Sequence, residues 1–82
     1  MVSSTLNATL ARAMRAERTR VDLTQREFAV EMGWSEKTVM RIEAGDRPLY
    51  AHELVEVCRF FGIGFRALLV TATASDLEAL DL

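Results

Sequence analysis

The 82-residue chain carries ten Lys and Arg against twelve Asp and Glu, a formal net charge of −2. Half of its residues are apolar and 27% are charged, which is a globular composition that excludes long disorder and fibrous repeats. One Cys and one His can supply neither an internal disulfide nor a usual zinc site, so no metal and no cofactor is expected.

The chain opens, over Met1 to Thr9, without a basic cluster, and Arg12 and Arg15 break the apolar run after it, so no signal peptide is expected. Helix-period patterning dominates the whole chain, and no stretch alternates for long enough to demand a strand. A first helix is expected from about Ser4 to Arg20, with Leu6, Leu10, Ala11 and Met14 on one side. Val21-Asp22-Leu23 reads as a short connection. Thr24-Gln25-Arg26-Glu27 is a capping box that starts a second helix, and Gly33 ends it. Ser35 caps a third helix that runs to Glu43 or Ala44, and Gly45-Asp46-Arg47-Pro48 is a loop.

A fourth helix is expected over Ala51 to Phe61, where Leu54, Val57, Cys58 and Phe61 repeat at helical spacing. Gly62 stops it, and Phe65, Leu68 and Leu69 mark a short fifth helix. Ser75-Asp76-Leu77-Glu78 is a second capping box that allows a last turn or two up to Leu82. The uncharged stretch from Ala67 to Ser75 is too short to span a bilayer. The expectation is a soluble, cytoplasmic, all-α chain. Residues 1–70 form one five-helix domain, and 71–82 a tail that serves dimerisation or a partner.

The spacing between the second and third helices carries the functional signal. Counted from Gln25, the fifth residue is Ala29, the ninth Gly33, the fifteenth Val39 and the eighteenth Ile42. Two helices that cross steeply over a short turn need a small side chain at the crossing, and Ala29 supplies it. Gly33 takes the turn conformation, while Val39 and Ile42 anchor the third helix. This is a helix-turn-helix spacing over residues 25–44, whose second helix is presented to a DNA major groove. At 100° per residue, Lys37, Met40, Arg41 and Ala44 lie opposite the anchors. Lys37 or Arg41 suits guanine, and Glu36 suits the cytosine amino group. Ser35 and Thr38 flank the same helix start. Gln25 opens the second helix, where a phosphate is favoured, and Arg47 in the next loop suits the far backbone.

Three segments carry a resemblance: Leu23 to Ala29, Met32-Gly33-Trp34-Ser35, and Val39 to Gly45. Together with the pattern from Leu54 to Leu69 they resemble the lambda-repressor/Cro-like (XRE) helix-turn-helix proteins, over about residues 8–70. The resemblance implies a compact five-helix DNA-binding domain. It makes Gln25 a phosphate contact and places Glu36, Lys37, Thr38 and Arg41 at base-reading positions. It also pairs Arg18 with Glu43. The tail from Val70 onward has no counterpart in that pattern.

Charge divides unevenly along the chain. Residues 1–47 carry eight Lys/Arg and seven Asp/Glu, net +1, and residues 48–82 carry two and five, net −3. An anionic partner should therefore meet the first half. Apolar residues in the acidic half, Phe60, Leu68, Leu69, Leu77 and Leu80, are the expected subunit or partner contact. Cys58 reads as a core residue and His52 as a solvated one. No nucleophile–base pair can be assembled, so an enzyme is not expected. The function expected is a sequence-specific regulator, a homodimeric repressor on double-stranded DNA with inverted half-sites. The alternative is an antitoxin or anti-repressor whose main work is binding another protein.

Overall fold

A computed structural model of the chain describes the backbone of residues 2–70 and the side chains of 6–69. The extra helical turn over 75–82, and with it Leu77 and Leu80, lies outside the described residues. Five helices succeed one another, α1 (Val2–Arg20), α2 (Gln25–Met32), α3 (Glu36–Glu43), α4 (Ala51–Phe61) and α5 (Phe65–Val70), and there is no strand among the described residues. This is the arrangement of a lambda-repressor-like fold.

Helix α1 buries a continuous stripe. Thr9, Leu10, Ala13, Met14, Glu17 and Arg18 are all under 9% exposed, the i, i+3, i+4 spacing of one helix face. The apolar part of that stripe packs on α5, whose Leu68 and Leu69 are 0% and 2% exposed, and on α3. Its last turn is polar, because there the helix faces a network of charged groups rather than the core. Asp22 ends the helix at φ 60°, with its N–H on the Thr19 carbonyl and the Leu23 N–H on that of Arg18. The short side chain of Asp makes that left-handed position tolerable where glycine is absent.

Helices α2 and α3 form the tight unit. Thr24 caps α2 reciprocally with Glu27: the Glu27 N–H donates to the Thr24 hydroxyl at 3.0 Å, and the Thr24 N–H donates to the Glu27 carboxylate at 2.8 Å. Those bonds to Thr24 hold the Glu27 carboxyl below its ordinary pKa. Gly33 comes after α2 at φ 73°, and a Cβ there meets nothing within 4 Å, so it is backbone conformation that selects glycine. Ser35 caps α3 by accepting the Thr38 N–H at 3.1 Å. Ala29, 2% exposed, lies at the crossing, and Val39 and Ile42 are sealed beneath α3.

Phe28 is the centre of the aromatic core. It is fully buried and meets Trp34 and Phe60 edge-on, at 6.0 and 5.5 Å between ring centroids, and stacks on Phe61 at 5.5 Å. These contacts tie the turn and α4 to α2. On α4, Val57 is sealed while Leu54, Cys58 and Phe61 are half-buried.

Candidate nucleic-acid interface

The free face of α3 is set by its anchors. With Val39 and Ile42 turned inward, Lys37, Met40, Arg41 and Ala44 are exposed together. Lys37 and Arg41 carry no ion pair among the described residues, so both cations are available to an anionic or acceptor-rich partner. Ser35 and Thr38 share a hydroxyl–hydroxyl bond of 2.9 Å at the helix start. Glu36 lies 3.4 Å from the exposed Arg26 of α2, a contact worth little in water.

A buried ion pair sets the orientation of this helix. Arg18 donates from Nε to Glu43 Oε2 at 2.8 Å and from Nη2 to Oε1 at 2.9 Å, a two-bond fork. Its remaining Nη1 donates to the Leu23 carbonyl at 2.7 Å. Gln25 Nε2 donates to the same Glu43 Oε1 at 3.0 Å. One carboxylate thus joins the end of α1, the start of α2 and the end of α3. Arg18, Glu43 and Gln25, three of the residues singled out by sequence, therefore stand together.

The chain matches a helix-turn-helix domain family over residues 9–71. It belongs to that family. No curated protein and no solved structure matches the chain. The helix-turn-helix unit itself is α2, the Gly33-Trp34-Ser35 turn and α3. A helix-turn-helix domain is one that presents its second helix to DNA. No helix among the described residues is long and apolar enough to cross a membrane. Among those residues there is also no group of three or more His, Cys, Asp or Glu placed to hold a metal ion.

Two expectations need correcting. Arg47 does not point outward to a DNA backbone. Its guanidinium forks onto Glu53 with two bonds of 2.8 Å, donates to the Pro48 carbonyl and lies 4.4 Å over the Tyr50 ring. Glu53, which sequence reading passed over, is 5% exposed and also accepts the Tyr50 N–H at 2.9 Å, closing the first turn of α4. A carboxylate left unpaired at that depth is costly, so it captures the nearest guanidinium. Leu68 and Leu69 are not surface residues either: α5 folds back on α1 and spends both in the core. Of the expected contact residues, Phe60 alone of those described keeps an exposed part, at 37%. His52 is exposed and stacks beside Tyr50, and burial pushes the Cys58 thiol pKa up, which disfavours the thiolate.

The Arg18–Glu43 pair has a measurable signature. Arg18→Ala or Glu43→Ala alone should cost about 3–5 kcal/mol, because each strands a buried charge. The double variant should lose less than the sum of the singles, and strictly additive losses in urea melts would show that the pair is uncoupled. Glu53 gives a second test, through pH. The Arg47 hydrogen bonds hold its carboxyl below the ordinary value of 4.5, helped by the Tyr50 N–H and opposed by burial. A lowered folded-state pKa stabilises fully above about 4.5 and loses that contribution as pH falls through the folded value. Melting temperature should therefore fall more steeply below that pH in the native chain than in Glu53→Gln. Parallel pH curves would remove Glu53 from the account.

Proposed function

We propose that this protein is a sequence-specific transcriptional regulator, a repressor that binds double-stranded DNA as a homodimer over inverted half-sites. The observation that carries the reading is the pairing state of α3. Its inner face is sealed, its end is held by a buried carboxylate, and Lys37 and Arg41 are left exposed and unpaired among the described residues. A rigid helix that offers donors on one face suits the guanine edge in the major groove. Glu36, Thr38 and Ser35 stand at the helix start, where the tip of a recognition helix reaches bases. Gln25, held by Glu43, suits a phosphate. Family membership supports DNA as the partner.

The homodimer is argued from footprint and symmetry. One domain of this size covers a short half-site, and a two-fold pair places two recognition helices roughly 34–36 Å apart. With Leu68 and Leu69 withdrawn into the core, apolar side chains of the acidic half still reach solvent at Val55, Phe60 and Phe65. A two-fold contact made from them is self-complementary and keeps acidic surface away from the phosphates.

Selection of bound duplexes from a random pool tests the reading, and an inverted repeat is the expected product. On that site, Arg41→Ala should cost roughly 1–3 kcal/mol and relax one base position while leaving non-specific affinity nearly intact. Gln25→Ala should weaken all sequences alike. An Arg41→Ala variant with full affinity and selectivity sinks the assignment of α3. Sedimentation checks the dimer separately. Two chains are expected on each selected site, and Phe65→Asp should reduce that number or the affinity; one chain per site in both proteins rules the dimer out.

A further inference from the structure

The end of α1, the start of α2 and the end of α3 enclose an open cleft walled by Arg15, Gln25, Met40 and Ala44, with the Arg18–Glu43 pair as its floor. Met40 and Ala44 belong to the same free face as Lys37 and Arg41, so the cleft opens on the side from which α3 meets a partner. A carboxylate in such a floor ordinarily repels anions. Here both Glu43 oxygens are taken by Arg18 and Gln25, and the side chain is only 4% exposed. Its charge is matched and covered.

Arg15 is the cation that remains. It lies one turn before Arg18, is exposed, and has no ion pair among the described residues. Gln25 gives one amide hydrogen to Glu43 and keeps a second for another acceptor. A guanidinium and a fixed amide donor facing one concavity suit a tetrahedral anion, which each can meet with a charge-assisted hydrogen bond.

We propose that this cleft holds one backbone phosphate of DNA, gripped by Arg15 of α1 together with Gln25. The inference rests on the DNA-binding reading above and adds to it a contact outside the helix-turn-helix unit. The test uses the full chain and a labelled mixed-sequence duplex, titrated between about 50 and 200 mM salt. Arg15→Ala should weaken binding on the order of fivefold to tenfold near 0.1 M salt and reduce the salt slope by about 0.9. Arg15→Lys should keep most of the slope. Arg59→Ala, which removes the same charge from α4, should leave the slope unchanged. Arg15→Ala combined with Gln25→Ala should lose less than the two singles together, because both grip the same phosphate. Equal losses from Arg15→Ala and Arg59→Ala would reduce the effect to bulk charge and overturn the site. So would strict additivity with Gln25→Ala, or an unchanged Arg15→Ala slope where the native chain binds. A native chain that binds no duplex at any of these salt concentrations removes the DNA-binding reading itself, and the site with it.

Discussion

The carboxylate of Glu43 is the constraint on which the arrangement of the first three helices depends. It accepts two bonds from Arg18 and one from Gln25, and Arg18 in turn fastens the Leu23 carbonyl of the connection. Helix α3 has eight residues, too few to be stable alone in water, so its direction must come from outside. Val39 and Ile42 choose which face turns inward. The ion pair, beside Ile42, ties that end of the helix to the end of α1. A pair buried to this degree contributes orientation more securely than net stability, since desolvation consumes much of the Coulombic gain.

Phe28 does for the other side of the unit what Glu43 does for this one. Its ring meets Trp34 in the turn and both Phe60 and Phe61 on α4. The turn is therefore gripped between an aromatic cluster and its own backbone bonds, the Gly33 N–H on the Val30 carbonyl and the Trp34 N–H on that of Ala29. Aromatic pairs of this kind contribute about 0.5–1.5 kcal/mol each beyond their buried area. In a domain whose whole stability is of order 5–15 kcal/mol, that is a sizeable share. It also explains why Phe60 is only partly available as a contact: one of its faces is already spent.

Local signals were legible in the sequence wherever a single residue decides a local geometry. Thr24 and Ser35 start their helices and Gly33 and Gly62 end theirs, each by rules that act within one turn. The misses are of the other kind. Glu53 looks like an ordinary exposed residue in the first turn of α4, and only the folded loop brings Arg47 and the Tyr50 N–H onto it. Leu68 and Leu69 read as surplus because the partner that buries them, α1, lies some fifty residues earlier in the chain. Arg15 reads in the sequence only as a break in an apolar run, because its significance depends on which neighbours are already paired. Asp22 closes α1 in the conformation usually given to glycine, and composition holds no sign of that.

The same pairing logic explains how a chain of net charge −2 can offer a basic face. Formal charge counts every group equally, whereas the local field depends on which charges are neutralised nearby and which stand apart. Glu43 is matched by Arg18 under the surface, Glu17 by Arg20, and Glu36 stands beside Arg26. Glu27 serves the Thr24 cap. Arg47 is withdrawn from the surface by Glu53, so the loop after α3 contributes less positive charge than its sequence promises. Lys37 and Arg41 on the free face of α3, and Arg15 at the cleft beside it, keep theirs unmatched among the described residues. Two unmatched cations on the free face of α3 and a third at the cleft beside it generate a local attraction that the acidic total conceals. Attraction confined in this way fits a partner that must be met by one side of the molecule and released when salt rises.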